Sequence, residues 1–518
     1  MVLTRTRTAS LCLTLSLSAT HWAGADERLT LPEATSRALA RNHSIRVERE
    51  HVTASDARAR GSLGAYDAQL SVDVNARHHR DPVNSLFSGA PTGSAAPSQN
   101  RFTSTLSLSQ RFRTGAVASA STSVTREGTN SLFSPFAPAY TSSLGVDVQQ
   151  PLLRDRAVDP TRTALLVTAL DRDRSSAGLA SQALTTVADV EKAYWGLVAA
   201  RRELDVRRGN LALAEQQRID TQSRIEAKTV AVSDLAQPTA EVERRRGDLL
   251  SAQEAVVRAE RSLKLLIIDS LDDPIWAEAI VPTDTPDTPV LPVDVPAALA
   301  AAKRNRPEIA DLNAAGSQQD LQIKLSRDQL KPRMDLVASY TIRGMAGELE
   351  SAGLPFNIPV SLPASLSGGL GNSWSNLFDQ KFPDFVVGVS FDVPLGRREA
   401  RAQIAEAEAD RRRIATTMAG VHERIATEVL NAATALETAA GRIQAARAGL
   451  AAAQTQLRAE QDRFAAGLST NFFVLTRQND LAAAQLAEIA ALTDYRKAQT
   501  EWSRANGSLL EDRNIRIQ

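Results

Sequence analysis

Apolar residues recur every seven positions in the stretch between residues 436 and 475. They are Leu436, Ile443, Leu450, Leu457 and Phe464. This spacing keeps one apolar seam against a partner helix and winds the pair into a left-handed coiled coil. The pattern stops at residues 466–471, which read Ala-Gly-Leu-Ser-Thr-Asn, and a second helical run begins near Val474. We therefore predict two antiparallel helices joined at a tip.

The same pattern occurs earlier in the chain. A shift of 239 positions places four further apolar residues on the same columns, with Arg218 out of pattern: Leu197, Leu204, Leu211 and Ile225. The first long helix is predicted over residues 161–227, about 100 Å at 1.5 Å per residue, and its return over residues 234–267. Duplication of a whole unit predicts a tandem repeat.

The hydrophobic period changes to two at Tyr66, where apolar or small residues alternate with polar ones up to Arg77. Five more such strands are predicted: Phe102 to Phe112, Ala116 to Arg126, Leu144 to Gln149, Leu336 to Arg343 and Phe385 to Val393. Such strands suit either a soluble sandwich with its apolar face inward, or a membrane barrel with its apolar face toward lipid.

Strand length and loop length favour the barrel. Most of the strands have about ten residues, and their polar faces are rich in serine, which suits a solvated lumen. The connections alternate in length. Residues 81–100, 128–140 and 344–381 read as long loops, whereas residues 113–115 form a tight hairpin turn.

The N-terminus resembles a secretory signal. Arg5 and Arg7 precede an uncharged run, and Ala23-Gly24-Ala25 supplies the small residues of a cleavage site. We expect cleavage after Ala25, which removes Cys12, the one cysteine. Beyond this segment no stretch approaches a transmembrane helix, so any membrane crossing is expected from β-strands.

These patterns divide the chain as follows: a signal peptide, 1–25; a first repeat, 26–270, with strands in 66–150 and a helix hairpin in 160–268; a Pro-rich connector, 271–296, expected to run extended; a second repeat, 297–510, with strands in 335–394 and a helix hairpin in 398–507; and a tail, 511–518.

Composition and charge exclude several functions. The 518 residues carry no formal net charge, which gives no support for a nucleic-acid partner. No cluster of ligand type surrounds any of the six histidines, and no phosphate-binding glycine loop or nucleophile motif is present. We therefore predict no catalytic residue, no metal and no cofactor, and thus no enzyme. The acidic and basic residues between Glu241 and Arg246 are interpreted as a solvated ion-pair surface.

The ordered combination of signal peptide, two copies of helix, strands and helix hairpin, and the Ala-Gly-Leu tip resembles the TolC family of outer-membrane factors. The resemblance covers residues 27 to 510. It implies an α+β fold with transmembrane β-strands and a periplasmic α-helical coiled-coil barrel. It further implies a homotrimer in outer-membrane lipid, with helices in the periplasm. Such a trimer is the exit duct of a tripartite efflux pump or type I secretion system, and it docks a periplasmic adaptor and an inner-membrane pump.

Carried over onto this sequence, the resemblance assigns five residues to the periplasmic tip or aperture: Asp234, Gly467, Leu468, Phe473 and Thr476. The first repeat has Ala227-Lys228-Thr229 where the second has its Gly-Leu turn, so docking is predicted at the second tip. Phe473 and Thr476 stand where many members place acidic residues. Phe473 either narrows the pore as an apolar ring or is ordinary core.

Two questions stay open at this point. A trimer has twelve strands in the usual family pattern, or eighteen if the hairpin between Phe102 and Arg126 joins the wall, and we favour eighteen. The alternative functions are a soluble periplasmic coiled-coil scaffold and a diffusion porin. A porin has no need of such long helices.

Overall fold

The computed structural model describes residues 27–80, 82, 89–286, 289–349 and 362–516. The predicted signal peptide, residues 1–25, lies outside these ranges. The described residues fold into two compact units. The sheet unit comprises Glu48–Ser181 and Arg306–Arg424, and the helical unit comprises the described parts of Met1–Val47, Gln182–Asn305 and Ile425–Gln518.

The fold is α+β, as the sequence predicts. The helices are α1 (Leu31–Arg41), α2 (His43–Ser62), α3 (Pro160–Glu226), α4 (Ala236–Ile267), α5 (Val295–Asn305), α6 (Pro307–Gln329), α7 (Leu370–Phe378), α8 (Arg398–Ala465), α9 (Asn471–Ala505) and α10 (Leu509–Asp512). The strands are β1 (Glu27–Leu29), β2 (Gln69–Arg80), β3 (Ser98–Arg111), β4 (Val117–Thr129), β5 (Phe136–Pro151), β6 (Ile280–Pro282), β7 (Arg333–Leu349) and β8 (Phe382–Asp392).

The sheet unit contains one six-stranded antiparallel sheet in the order β2-β3-β4-β5-β7-β8. Strands β5 and β7 come from different repeats and pair from Phe136 with Leu349 to Pro151 with Asp335. Strand β3 pairs with both β2 and β4. The hairpin between Phe102 and Arg126 therefore continues the sheet, as we favoured from the sequence. Strands β2 and β8 form the two edges.

This sheet has one apolar and one polar face, because successive side chains of a strand point to opposite sides. One row of registered partners is apolar across all six strands: Leu70, Leu108, Ala120, Val146, Tyr340 and Phe385. The next row reads Ser71, Ser107, Ser121, Gly145, Thr341 and Asp384. Hydroxyl pairs such as Ser71 with Ser107, 2.6 Å apart, link neighbouring strands on the polar face.

The apolar face is exposed in the single chain. Leu70 is 67% exposed, Val146 47% and Phe385 71%. A soluble sandwich would bury these side chains, so that alternative is wrong for the isolated chain.

The helical unit buries the predicted coiled-coil seams. In the second hairpin, Leu436 and Ile443 of α8 pack with Leu492 and Tyr495 of α9. In the first, Leu197 and Leu204 of α3 share a core with residues of α4, including Ala252 and Val256. The heptad prediction is therefore confirmed at these positions.

No helix within the described ranges combines the length and the apolar composition that a membrane span requires.

Several predicted loops contain regular structure, and β3 and β5 begin inside the predicted loops 81–100 and 128–140. Residues 344–349, predicted as loop, continue β7 because they pair with β5, and α7 follows inside the same predicted loop. The Pro-rich connector contributes β6, which pairs with β1 in parallel and buries Ile280 completely. Tyr66, predicted as the first strand residue, ends a 3₁₀ turn, and β2 begins at Gln69.

Candidate functional site

Helices α3 and α8 end in turns of the same backbone form. Lys228 in the first tip and Gly467 in the second have left-handed φ angles of 60° and 75°. In each, the amide of the next residue donates to the carbonyl five residues before it, at 3.0 Å and 2.8 Å respectively. This is the Schellman helix ending, in which glycine is the favoured left-handed residue. The different sequence of the first tip therefore leaves the turn unchanged, although lysine adopts this φ at a cost of about 1 kcal/mol.

The two tips contact each other. The guanidinium carbon of Arg224 lies 4.3 Å from the centre of the Phe464 ring, a cation–π contact. The side chain of Asn471, at the start of α9, donates to the Thr221 hydroxyl at 2.9 Å and accepts a hydrogen bond from Gln217. These contacts hold the second turn against the end of α3.

Apolar side chains project from the tips. Leu468 is 80% exposed, Val232 75% and Phe472 55%. Exposed apolar side chains that lie close together mark interaction surfaces more often than chance placement does. The apolar tip, which we define as Leu468, Phe472 and Phe473 of the second tip, is therefore a candidate docking surface.

The other predicted tip residues lie on the starts of the returning helices. Asp234 is exposed in the 3₁₀ turn Val232–Leu235 that precedes α4, and its carboxylate accepts a hydrogen bond from Ser233 at 3.4 Å. Thr476 is half-buried, and its hydroxyl donates to the carbonyl of Phe472 at 2.8 Å. Both side chains remain accessible in the single chain.

Phe473 is not part of the single chain's core. Its side chain is 50% exposed, and its ring meets that of Phe472 edge to face with centroids 5.5 Å apart. The reading of Phe473 as core between the chain's own helices is therefore wrong. Its role at a shared aperture stays a prediction.

A buried arginine joins three helices farther from the tips. Arg245 of α4 is 3% exposed. Its guanidinium donates to Glu241 at 2.7 Å, to the carbonyl of Asn210 on α3 at 2.6 Å, and to Asn479 on α9 at 3.1 Å. Two longer bonds of 3.4 Å reach Gln478. We call these five residues the arginine clasp.

The clasp corrects the interpretation of this stretch as a solvated ion-pair surface. That interpretation fits Arg246, which is half exposed and pairs with Glu243 at 2.8 Å. It is wrong for Arg245. The sequence does indicate that Arg245 is buried. With Val242, Leu249 and Ala252 it follows the alternating three- and four-residue spacing of a coiled-coil seam.

The carboxylate of the clasp is held in its charged form. Burial by itself would raise the pKa of Glu241, but hydrogen bonds from Arg244 and Arg245 outweigh burial and lower it from 4.5 to about 2. Because the pKa is depressed in the folded chain, the stabilisation is complete above about pH 4.5 and is lost as the pH falls toward 2.

No group of three histidine, cysteine or carboxylate side chains that could hold a metal ion occurs in the part of the chain that the structure describes.

Comparison with known proteins gives a family and a fold. Residues 298–508 match the family model described as outer membrane efflux protein. Comparison with curated proteins gives no match. Three similar solved structures are the CmeC outer membrane channel of Campylobacter jejuni, the outer membrane protein VceC of Vibrio cholerae, and a membrane protein from Pseudomonas aeruginosa.

These structures match over nearly their whole length. CmeC is 13% identical, with 94% of this chain and 90% of CmeC covered and a TM-score of 0.64. VceC is 16% identical, with 92% of this chain and 96% of VceC covered and a TM-score of 0.61. The Pseudomonas protein is 18% identical, with 92% of each chain covered and a TM-score of 0.63.

The described chain thus has the fold of outer-membrane channels. The match of residues 298–508 to the family model of outer membrane efflux proteins agrees with the resemblance to the TolC family of outer-membrane factors.

Proposed function

We propose that this protein is the outer-membrane exit duct of a tripartite efflux pump or type I secretion system. Three copies share one β-barrel in the outer membrane, and their long helices extend into the periplasm. The duct has no energy source of its own. An inner-membrane pump drives transport, and a periplasmic adaptor connects the pump to the duct. One observation carries this proposal: a two-faced sheet whose apolar side is exposed.

The faces of the sheet suit a membrane channel. Apolar side chains that are exposed in water are unfavourable, whereas lipid covers them at no cost. The opposite face carries hydroxyl pairs, and near Gln149 and Asp335, 2.7 Å apart, it carries charged and amide groups. Such groups face water in the lumen of a channel.

The edges of the sheet require several copies. Every backbone polar group needs a partner inside lipid, so β2 and β8 cannot remain unpaired there. Because the sheet has six antiparallel strands, β8 of one copy runs antiparallel to β2 of the next, and the pattern continues across the junction. Three copies then form a wall of eighteen strands, with the β3–β4 hairpin inside it.

The apolar tip supports docking of an adaptor. Leu468 follows the left-handed Gly467 and is largely exposed, so an apolar partner can cover it without disturbing the turn. Opening is then a population shift, in which the adaptor binds the open arrangement of the helices more tightly than the closed one.

We expect the detergent-extracted mature protein to come from the outer-membrane fraction and to have the mass of a trimer. Membrane fractionation with light scattering measures both properties. A soluble monomer or dimer in the periplasm would contradict the barrel and support the coiled-coil scaffold. A trimer that conducts ions but gives no export with any adaptor would support a porin.

We expect Leu468→Asp to abolish export while trimer levels stay normal. A charge placed in a central apolar contact costs about 2 kcal/mol or more of binding. The test is dye accumulation in a channel-deficient strain that carries the adaptor and pump encoded beside this protein.

The matched control is Thr229→Asp, because Thr229 occupies the equivalent position of the first tip. Normal export is expected for this variant. If both variants export normally, docking at the second tip is disproved. If both fail equally, the tips do not differ as we propose.

A further inference from the structure

Helix α7 lies on the apolar face of the sheet, at the end of β5 and β7 opposite the pair of Pro151 with Asp335. It packs where β5 and β7 pair beyond the start of β8. The hydroxyl of Ser373 is 2.9 Å from that of Ser142, and Ser142 is the registered partner of Gly344. Ser142 and Gly344 share the face of Val146 and Tyr340, because each is an even number of residues away along its strand. Helix α7 is thus a cover for the outer end of the apolar face.

The contact between helix and strand depends on a glycine. A β-carbon added to Gly344 would lie 1.9 Å from the carbonyl oxygen of Ser373 and 2.6 Å from the amide nitrogen of Leu377. Leu377 is fully buried in this contact, and so is Ala346 on the strand. The backbone of α7 therefore rests directly on β7.

Helix α7 also satisfies a polar group of β7 where a strand partner is missing. The pairing of β7 with β8 ends at Arg343 with Phe382. Beyond that point, Asn376 donates to the carbonyl of Met345 at 2.8 Å, on the edge that β8 leaves. Ser373 donates at 3.0 Å to the carbonyl of Gly344, which points to the opposite edge, toward β5. Lipid offers no partner to a backbone carbonyl, so a strand that continues past its neighbour inside a membrane needs such donors.

One exposed flank of α7 is apolar, whereas Asn372 and Ser375 are exposed on the other flank. Leu370, Trp374 and Phe378 recur every four residues and form one stripe. Leu370 is 39% exposed and Phe378 is 67% exposed. The rings of Trp374 and Phe378 stack with centroids 5.9 Å apart. The inward side carries the buried Ser373, Asn376 and Leu377.

We propose that α7 is an interfacial helix that inserts its Leu370, Trp374 and Phe378 stripe into the outer leaflet of the membrane. This inference rests on the proposed function, because the apolar face must itself lie against lipid. Amphipathic helices lie in the interface with their apolar side toward the acyl chains, and tryptophan is enriched at that depth. The helix thereby extends the lipid-facing surface of the barrel beyond the end of β8.

Lipid fits this stripe better than a second copy of the chain does. The stripe continues the exposed apolar face, which includes Val146 and Tyr340, rather than the polar one. The charged pair of Lys381 and Asp379, 3.0 Å apart, lies just after the C-terminal end of α7 and gives it a polar border. A helix with one apolar side and a polar border matches the boundary between acyl chains and headgroups.

A single-cysteine label tests this assignment in the full chain. Phe378→Cys, in a Cys12→Ser background, carries an environment-sensitive fluorophore in trimers reconstituted into phosphatidylcholine–phosphatidylglycerol vesicles. We expect loss of fluorescence with lipid that bears a nitroxide near its headgroup, and little loss with aqueous iodide. Phe378 is largely exposed, so the substitution removes its stacking on Trp374 but leaves the contact of α7 with β7 intact.

Two control positions separate this inference from the proposed function. Val146→Cys, on the middle of the apolar face, should lose fluorescence with a nitroxide deep in the acyl chain. Asp147→Cys, the next residue on the opposite face, should respond to iodide alone. If Val146 and Asp147 behave so but Phe378 responds only to iodide, α7 lies in water and the inference is overturned. If Phe378 is shielded from both quenchers, a neighbouring copy covers it, which also overturns the inference. If the Val146 label does not respond to lipid, the barrel itself is disproved.

Discussion

Arg245→Ala is expected to lower the free energy of unfolding of the helical unit by about 3 kcal/mol. The substitution removes the donor that reaches Glu241, Asn210 and Asn479, and these buried or half-buried acceptors each lose that bond. Urea unfolding of the detergent-solubilised protein, followed by helix circular dichroism, measures the loss.

Arg246→Ala is the matched control. Arg246 is the next residue, carries the same charge, and pairs with Glu243 in an exposed ion pair worth about 0–1 kcal/mol. Equal losses for the two variants would contradict the clasp and restore the interpretation of a solvated surface. Loss of Arg245 should also loosen α9 from α3, because both helices contribute acceptors to the same guanidinium.

The long helices were predictable because their seams are long and regular. The seam residues of α3 and α8, 197–225 and 436–464, each span four heptads, so an isolated exception such as Arg218 does not hide the period. The charges that surround Arg245 hid its burial, since a charged residue in a run of charges is usually solvated. Its burial depends on acceptors supplied by α3 and α9, which the sequence of α4 does not contain.

Strand alternation located the sheet but not its ends. The sequence Gly344-Met345-Ala346-Gly347 has weak strand propensity, and its extended form comes from pairing with β5 and contact with α7. Helix α7 was missed for a related reason. It has nine residues and includes glycine, asparagine and serine, so its stability comes from packing on Gly344 rather than from propensity.

At the two tips, different sequences adopt the same backbone conformation. Lys228 and Gly467 differ in chemistry but adopt the same left-handed turn. The hydrogen bond from the next amide to the carbonyl five residues before it determines the turn in both cases. What the sequence does distinguish is the exposed side chain that follows, which is Thr229 in one tip and Leu468 in the other. That difference is the basis for our proposal that an adaptor docks on the second tip and not on the first.

A second large effect is expected in the sheet, where two adjacent residues of β5 lie on opposite faces. Val146 lies in the apolar row between Ala120 and Tyr340, and Asp147 lies in a polar row between Ser119 and Ser339. A charge in the middle of a lipid-facing surface is much less stable than one that faces a water-filled lumen.

We therefore expect Val146→Arg to destabilise the membrane-inserted protein by about 2–4 kcal/mol. Asp147→Arg should insert nearly as well as the parent chain, because the new arginine faces water. Both variants are folded into phospholipid vesicles, and the inserted fraction is measured by resistance to protease across a urea series. If Asp147→Arg is the more damaging variant, the two faces are assigned the wrong way round. If both variants insert like the parent chain, the sheet does not contact lipid, because the energetic difference between the two rows arises from the membrane alone.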